Sequence, residues 1–448
     1  TPCGTLFPYT TLFRSGSDRI RSKTVLENGN FMSFQLFHIS CARFFKLLGR
    51  TYFPKRNSQA RLTVKRLIII SLFIPAFAAL QLMHWIGFLL DEIFFPEYRK
   101  IDIVEPVFIV GIPRSGTTLL FQLLSADTER FTCFTFWELL LAPSVTGRTV
   151  IDLAARIDRT LGGPAASLLV GLDRMLFRCI QDIHPISLFG PEEDYFALAP
   201  ILSCLLLMLP FPMPEVLGHL PFFDDRASRE EKERVMAFYA GILKRHLFFH
   251  GPQKRYLSKN PSFSPLVQTL QQTFPDCRMI ATVRSPLKTI PSLLSSMTEG
   301  ARAFDNDLKG DFYYVQLLDM LRYYYRHLIG VLDKTESRRA VFVPMSTLKG
   351  DANGTVAEIY QRLGFQISPS FQHHLHTLTR RARSYQSRHR YSLEQFSLDP
   401  EALYEEFRYV FDRFGFDFTP SESTALFQGP PVSRPVEART GREIPGGL

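Results

Sequence analysis

One glycine-containing segment carries the residues best suited to binding a phosphate group. In the string VFIVGIPRSGTTLL, Gly111 and Gly116 have the G-x-x-x-x-G spacing of a P-loop. The backbone N–H groups of such a loop, with a helix N-terminus behind them, attract an anion, and hydroxyl and guanidinium groups add donors. The sequence therefore predicts a phosphate-binding loop whose binding residues are Gly111, Pro113, Arg114, Ser115, Gly116, Thr117 and Thr118.

This loop differs from that of nucleotide kinases in the position of its cation. A kinase loop has a lysine after the second glycine, where this chain has Thr117, and the cation here is Arg114, inside the loop. NTPases also end a neighbouring strand with an aspartate that reaches Mg²⁺, whereas RMIATVR ends with Arg284. We therefore expect no metal, and a P-loop kinase or a non-catalytic membrane-associated nucleotide-binding protein is kept only as an alternative.

The segment RMIATVRSP indicates a second anion site. Arg284 ends an expected strand, and Ser292 follows eight residues later on the next expected helix. An arginine at a strand end and a serine about two turns into the following helix can converge on one phosphate, with the guanidinium as the charged fork. Two phosphate sites without a metal carboxylate indicate a nucleotide phosphorylated at two places.

These motifs resemble those of the sulfotransferase family, in particular its bacterial members. GIPRSGTT resembles the 5′-phosphosulfate loop, and Arg284-x7-Ser292 is similar to the 3′-phosphate motif. The strings LSKNP, FPDCRMIATVRSP and RHRYSLEQF are also similar, so that the resemblance covers about residues 106–399. It implies 3′-phosphoadenosine-5′-phosphosulfate (PAPS) as the sulfuryl donor, no metal, and donor contacts from Arg390 and Tyr391.

The same resemblance indicates candidates for the chemistry. Arg114 is placed for the phosphosulfate, and Lys259 resembles the lysine with which tyrosylprotein sulfotransferases stabilise the transferring group; its alternative role is a surface ion pair. Glu138 is the favoured base, because several branches of the family place a catalytic glutamate after the phosphate-loop helix. Glu193, in an acidic patch at a helix start, is the second candidate. His184 is the third, although core packing explains it better.

Charge and cysteine content exclude other classes of protein. The formal net charge of the 448 residues is +9, and a surplus of nine basic residues lies between residues 16 and 66. The rest of the chain is close to neutral, so it lacks the basic face that nucleic-acid binding needs. Six cysteines without a CxxC pair exclude a disulfide scaffold and a cysteine-based zinc module.

The elements that must position these residues alternate along the chain. Short apolar runs bounded by Gly or Pro predict strands, and the segments between them have helical spacing. This alternation predicts an α/β fold with a mainly parallel central sheet and helices on both faces. Strands are expected at 107–110, 255–259, 278–284 and 339–344, and helices at 116–126, 264–273, 287–297, 312–332 and 355–363.

The N-terminal part is expected to be basic, hydrophobic and membrane-associated. Residues 1–15 contain the translation of a common sequencing adapter and are taken as a sequence-assembly artefact, so this segment is placed at 16–100, with Met32 as a candidate natural start. The 24 uncharged residues 67–90 are long enough to span a bilayer, although a helical hairpin that packs on the domain is an equal alternative. We expect the cytoplasmic face of a membrane, with a lumenal domain behind one span as the alternative.

The remaining chain is expected to hold one catalytic domain and a tail. The sulfotransferase domain is placed at 101–418 with a helical acceptor insert at 143–254, and residues 419–448 are rich in Pro, Gly and Ser and are expected to be loose. The insert contains ILSCLLLMLPFPMP, a run too apolar for a plain surface loop. It suggests a small-molecule acceptor that is hydrophobic or lipid-like, and no sequence feature indicates an oligomeric state.

Overall fold

The computed structural model describes residues 29–54, 61–177, 187–306, 311–383 and 393–418, and a five-stranded sheet lies at their centre. The strands are Val107–Gly111 (β1), Phe131–Thr132 (β2), Arg255–Lys259 (β3), Arg278–Val283 (β4) and Ala340–Pro344 (β5). Their order is β2-β3-β1-β4-β5, and every neighbouring pair runs parallel. The α/β class with a mainly parallel sheet is therefore confirmed.

The central strand β1 is apolar and buried throughout because both faces of the sheet are covered. Val107 and Ile109 pack on one face, and Phe108 and Val110 pack on the other. The helices are Gly29–Tyr52 (α1), Val64–Phe94 (α2), Thr117–Leu124 (α3), Phe136–Leu141 (α4), Val145–Thr160 (α5), Pro164–Phe177 (α6), Pro214–Leu217 (α7), Phe223–Arg226 (α8), Arg229–His250 (α9), Val267–Thr273 (α10), Pro286–Ala303 (α11), Asp311–Leu332 (α12), Met345–Gly350 (α13), Ala352–Arg362 (α14), Pro369–Arg383 (α15) and Pro400–Phe414 (α16).

The strand order creates a crevice at the carboxyl end of β1. The chain leaves β1 toward the β3 side of the sheet and later crosses to the β4 side, so β1 is the point where the direction of winding changes. Ligands of open α/β sheets bind at such switch points, outside the carboxyl ends of the strands. The predicted phosphate loop follows β1 directly and therefore lies in this crevice.

The two N-terminal helices form an antiparallel pair. The rings of Phe37 and Trp85 lie 5.3 Å apart, and those of Phe44 and Phe77 lie 6.3 Å apart, so later residues of α1 meet earlier residues of α2. The hairpin of the N-terminal segment thus consists of α1 and α2 together.

Helix α2 is continuous through Pro75, so residues 67–90 do not fold back on themselves. Its inner face is part of the main core, where Ile70, Ile74 and Phe88 are buried. Among the described residues it is the helix that is long and apolar enough to cross a membrane, by length and composition alone.

The segment 143–254 enters the chain between β2 and β3. It contains α5 to α9 and short turns of 3-10 helix. One of these turns, Asp194–Ile201, begins directly after the acidic patch. The insert therefore brings that patch to the carboxyl edge of β3.

Candidate functional site

The loop after β1 has the backbone that its glycines predict. Gly111 and Gly116 have φ values of 139° and 91°, and Arg114 also has a positive φ of 68°. A Cβ atom at Gly111 would lie 2.3 Å from the carbonyl oxygen of Thr282, so the close approach of β4 requires glycine there. The two predicted glycines are thus needed for the shape of the loop.

Two buried hydroxyl groups hold this loop in place. The Ser264 hydroxyl accepts from the N–H of Gly111 at 3.0 Å and donates to the carbonyl of the same residue at 2.7 Å. The Ser115 hydroxyl bonds to Thr282 Oγ1 and to the carbonyl of Ile112, each at 2.5 Å. The Ser115 side chain therefore stabilises the loop, and the sequence offered no signal for Ser264 or Thr282.

Three residues from separate segments meet beside the loop. Arg114 Nε donates to Ser292 Oγ at 3.1 Å, and Arg284 Nη1 donates to the carbonyl oxygen of Arg114 at 3.0 Å. The Tyr325 hydroxyl donates to the carbonyl of Arg284 at 2.6 Å and fixes the end of β4. Burial lowers the pKa of Arg284, and the nearby Arg114 cation lowers it further. The site is therefore strongly electropositive.

A further cation, Lys349, lies near this group and was missed by the sequence reasoning. It belongs to α13, which packs on the loop: a Cβ atom at Gly116 would lie 3.3 Å from the side chain of Met345. Burial and the charge of Arg284 lower the pKa of Lys349. A lysine shortly after the carboxyl end of β5 was the available signal, because the equivalent ends of β3 and β4 also carry cations.

Lys259 and Glu193 form an ion pair at the carboxyl end of β3. Lys259 Nζ contacts Glu193 Oε1, and the lysine side chain is only 2% exposed. In the register of the sheet Lys259 lies opposite Ile109, two residues before the phosphate loop begins. This pair is therefore buried and next to the loop, which differs from the surface ion pair considered above.

Asp194, the residue after Glu193, anchors the acidic patch. Its Oδ2 atom accepts from the hydroxyl of Tyr256 at 2.9 Å and from that of Tyr239. Burial raises the pKa of Asp194 to about 6, although these hydroxyl groups act in the opposite direction. The backbone of Glu193 is thereby fixed to β3 and α9.

Glu138 lies in a different environment, at the start of α4. Its Oε2 atom accepts from the N–H and the hydroxyl of Thr135, each at 2.8 Å. Its Oε1 atom lies 3.1 Å from Arg148 Nε and 2.5 Å from His250 Nε2. Burial would raise the pKa of Glu138, but Arg148 and the histidines outweigh it and hold this pKa well below its usual range. Both oxygens of the carboxylate are therefore engaged.

The cluster around Glu138 lies toward the amino end of β3. His246 Nε2 bonds to Thr132 Oγ1 at 2.8 Å, and Thr132 lies opposite Tyr256 in the sheet. Tyr256 precedes Lys259 by three residues, which is on the order of 10 Å along a strand. Glu138, His246 and His250 could also hold a metal ion, but such an ion would compete with the Arg148 cation for the same oxygen.

A narrow apolar cavity lies between the insert and the segment that follows β3. It has about 10 Å³ of open space, roughly room for one water. Its lining includes Tyr195, Leu198, Leu205, Leu220, Phe223 and Phe263. Tyr195 is two residues from Glu193, but neither Glu193 nor Lys259 lines the cavity. Three predicted site residues, His184, Arg390 and Tyr391, lie outside the described residues.

The comparisons with known proteins identify the class. A model of the sulfotransferase family matches residues 106–369, more than half of the chain. The chain therefore belongs to the sulfotransferase family, and it is a sulfotransferase enzyme. The kinase and non-catalytic alternatives are accordingly wrong.

Particular relatives are mycobacterial. The omega-hydroxy-beta-dihydromenaquinone-9 sulfotransferases Stf3 of Mycobacterium bovis and Mycobacterium tuberculosis are each 28% identical over 337 residues, which is 70% of this chain and 75% of the relative. Sulfotransferase STF9 from Mycobacterium avium has a TM-score of 0.64 at 17% identity and covers 86% of this chain and 97% of its own. STF1 from Mycobacterium tuberculosis H37Rv has a TM-score of 0.62 at 19% identity and covers 88% and 98%. The two solved structures share the P-loop-like fold.

Proposed function

We propose that this enzyme transfers a sulfuryl group from PAPS to a hydroxyl group of a hydrophobic, lipid-like acceptor at a membrane surface. The observation that carries the proposal is the meeting of Arg114, Arg284 and Ser292 beside the loop after β1. These groups suit a nucleotide with phosphates at two positions, and no nearby carboxylate is needed to hold a metal.

In this proposal the loop binds the 5′-phosphosulfate and the end of β4 binds the 3′-phosphate. N–H groups at the start of α3, with Thr117 and Thr118, provide donors for the first group. Arg284 and Ser292 provide a charged and a neutral donor for the second. Arg390 and Tyr391 are proposed as further contacts to the nucleotide, on the resemblance alone.

The transfer is an in-line displacement at sulfur. The acceptor oxygen forms a bond to sulfur while the bond between sulfur and the bridging phosphate oxygen breaks, and adenosine 3′,5′-bisphosphate leaves with both electrons. Fixed cations stabilise the charge that develops on the bridging oxygen, and Arg114 and Lys259 are proposed for this role. The proton of the acceptor hydroxyl passes to a carboxylate.

We propose Glu193 as that carboxylate. It contacts Lys259 at the carboxyl end of β3, beside the phosphate loop, whereas the side chain of Glu138 is only 1% exposed and is held by Arg148 and His250. Glu138 then positions α4 against Arg148 rather than acting on the acceptor. Glu138 remains the alternative base, and a pair of variants described in the Discussion separates the two.

The lipid-like acceptor is supported by the apolar insert and by a relative. The insert that carries Glu193 also contains the apolar run ILSCLLLMLPFPMP, which favours an apolar molecule as the partner of this segment. The relative Stf3 is named for a hydroxylated menaquinone. We propose that the acceptor of this enzyme is also a hydroxylated lipid.

The proposed location is the cytoplasmic face of a membrane, with α2 lying along the surface. Arg66 at its start donates to the carbonyl of Pro210 at 3.0 Å, and His84 bonds to the carbonyl of Leu140 at 2.9 Å. A helix bound to the catalytic domain along its inner face cannot also be surrounded by lipid. This packing favours a surface helix over a span with a lumenal domain.

The test is transfer of labelled sulfate to membrane lipids. The full-length enzyme is incubated with bacterial lipid extract and PAPS that carries ³⁴S, and the lipids are analysed by mass spectrometry. We expect an enzyme-dependent lipid that has gained one labelled sulfate, absent with Arg114→Ala. Label in water-soluble alcohols but in no lipid would contradict the acceptor assignment.

A further inference from the structure

Helices α5 and α6 form a hairpin whose apolar side chains are exposed. Val150, Leu153, Ile157 and Leu161 are 60%, 57%, 53% and 72% exposed and lie on one stripe of α5 and its end. The side chains of α6 that the structure describes are mostly apolar, and all but Asp173 are exposed. An apolar helix with so little cover is not stable in water alone.

The hairpin is joined to α2 at the start of α5. The carboxylate of Asp91 in α2 accepts from the N–H of Val145 at 2.9 Å and from that of Thr146 at 2.7 Å, and so caps α5. The same junction is tight, since a Cβ atom at Gly87 would lie 2.4 Å from Ser144 Oγ. On α2, Leu82, Ile86, Leu89 and Ile93 are also exposed, on the side of the helix that faces away from Gly87 and Asp91. Helix α5 is therefore fixed rigidly to α2, and each of these two helices has an exposed apolar stripe.

The basic charge of the N-terminal segment favours anionic lipid over a second copy of the chain as the partner of the hairpin's exposed apolar surface. The segment from residue 32 to 66 contains eight Lys or Arg and no Asp or Glu. Arg43, Lys65 and Arg66 bond to other parts of the protein, which leaves at most five of the eight to meet a charged surface. Two copies of the chain packed through this surface would bring two such segments together, whereas anionic lipid headgroups attract them. Helix α5 also has a polar face, with Arg156 paired to Asp152, opposite its apolar stripe. Such a helix lies in the boundary between headgroups and acyl chains.

We propose that the α5–α6 hairpin inserts into the membrane interface beside α2. The hairpin is also connected to the acceptor side of the site. Asp173 of α6 accepts from the N–H of Leu188 at 2.8 Å and from the Ser187 hydroxyl at 3.1 Å, and these residues lead to Glu193. The inserted hairpin therefore places the acidic patch next to the lipid from which the acceptor comes.

Photo-crosslinking in vesicles tests this insertion. p-Benzoylphenylalanine replaces Leu89 in α2, Leu153 in the α5 stripe or Ala155 on the polar face of α5, each in the full-length protein bound to phosphatidylglycerol–phosphatidylcholine vesicles. We expect lipid adducts from positions 89 and 153 and none from 155. The inference rests on the membrane association proposed above, and position 89 tests that association separately.

The outcomes distinguish the two proposals. Adducts at 89 without adducts at 153 overturn the insertion of the hairpin but not the membrane association, and no adduct at either position overturns both. A crosslink from position 153 to a second copy of the chain would show that the hairpin packs against that copy and not against the bilayer, and would overturn the insertion.

A second measurement uses serine substitutions in the apolar stripe. Val150→Ser with Leu153→Ser and Ile157→Ser should weaken vesicle binding by on the order of tenfold. The matched control is Thr149→Ser with Ala155→Ser and Thr160→Ser, which should leave vesicle binding unchanged.

Discussion

The side chain of Arg114 and its backbone serve two neighbouring sites. Its guanidinium contacts Ser292, and its carbonyl accepts from Arg284, although its φ is positive. A non-glycine residue in that conformation is uncommon, and here the side chain points toward Ser292 of α11. Loss of this one residue should therefore affect chemistry more than folding.

Arg114→Ala should lower kcat by about 10²–10³, because it removes a fixed cation from the oxygen on which charge develops. Ser292→Ala should instead weaken the binding of adenosine 3′,5′-bisphosphate with a smaller effect on kcat. Steady-state kinetics and calorimetry measure the two effects, and the exposed Arg229→Ala is the control. Unchanged nucleotide affinity in Ser292→Ala would remove the second phosphate site.

Two substitutions by glutamine distinguish between the candidate bases, Glu193 and Glu138. Glu193→Gln should abolish most turnover and leave donor binding intact, because the amide cannot take the proton. Glu138→Gln should destabilise the fold by about 3–5 kcal/mol, because it leaves Arg148 buried without its counterion. Thermal unfolding and turnover per folded molecule are measured together. A stable but inactive Glu138→Gln, with an active Glu193→Gln, would return the role of base to Glu138.

Asp194 should make stability depend on pH. Its pKa is raised from 3.8 to about 6 in the folded protein, so the folded state keeps a proton that the unfolded state loses between these values. Stability from this residue is therefore present below pH 4 and is lost as the pH rises to 6, a change of about 3 kcal/mol. Between pH 4 and pH 7, the unfolding free energy of the parent should fall relative to that of Asp194→Asn. Parallel profiles of the two proteins would contradict the raised pKa.

At the scale of elements, Asp91 joins three helices. Asp91 belongs to α2 and is fully buried. Its carboxylate accepts from N–H groups at the start of α5 and from Nε of Arg245 in α9, the latter at 2.9 Å. A variant that begins near Lys100 would remove this carboxylate together with the inner face of α2. The N-terminal helices are thus part of the core, and their removal would not leave an intact catalytic domain.

Asp91→Ala should lower the free energy of unfolding by about 3–5 kcal/mol, because Arg245 loses one of its two carboxylate partners and the N–H groups of Val145 and Thr146 lose their acceptor. Unfolding in detergent measures this change. The control is Asp152→Ala, which removes an exposed partner on α5 and should cost less than about 1 kcal/mol. Equal losses in both variants would show that the junction does not hold α5.

The sequence predicted the long elements well and the side-chain environments less well. Apolar runs located β1, β3, β4 and β5 within one residue at each end, whereas β2 was missed because two residues carry no pattern. The loop glycines followed from local spacing, whereas the contact of Arg114 with Ser292 was not predicted, because the spacing paired Ser292 with Arg284. The burial of Glu138 did not, because its partner Arg148 belongs to another helix and no spacing rule predicts that contact.

At the scale of the whole molecule, the parallel sheet collects cations at one edge. The ends of β1, β3, β4 and β5 bring Arg114, Lys259, Arg284 and Lys349 to the carboxyl side. Such a set of fixed charges can bind a polyanion without a metal ion.

Full activity is therefore expected in the presence of EDTA. Rates are measured with metal-free buffers before and after addition of Mg²⁺ or Zn²⁺. A strict and reversible requirement for either ion would contradict the proposed chemistry. If this requirement disappeared in His250→Ala, the ion would be located at Glu138, His246 and His250.

The burial of Glu193 also bears on the competition between the acceptor and water. Its side chain is 13% exposed and is held by Lys259, so little solvent reaches the carboxylate. An acceptor that enters must open this contact before its hydroxyl group lies beside the carboxylate. Donor bound in the absence of lipid should accordingly be hydrolysed slowly, so that activated sulfate is not wasted between encounters with the acceptor.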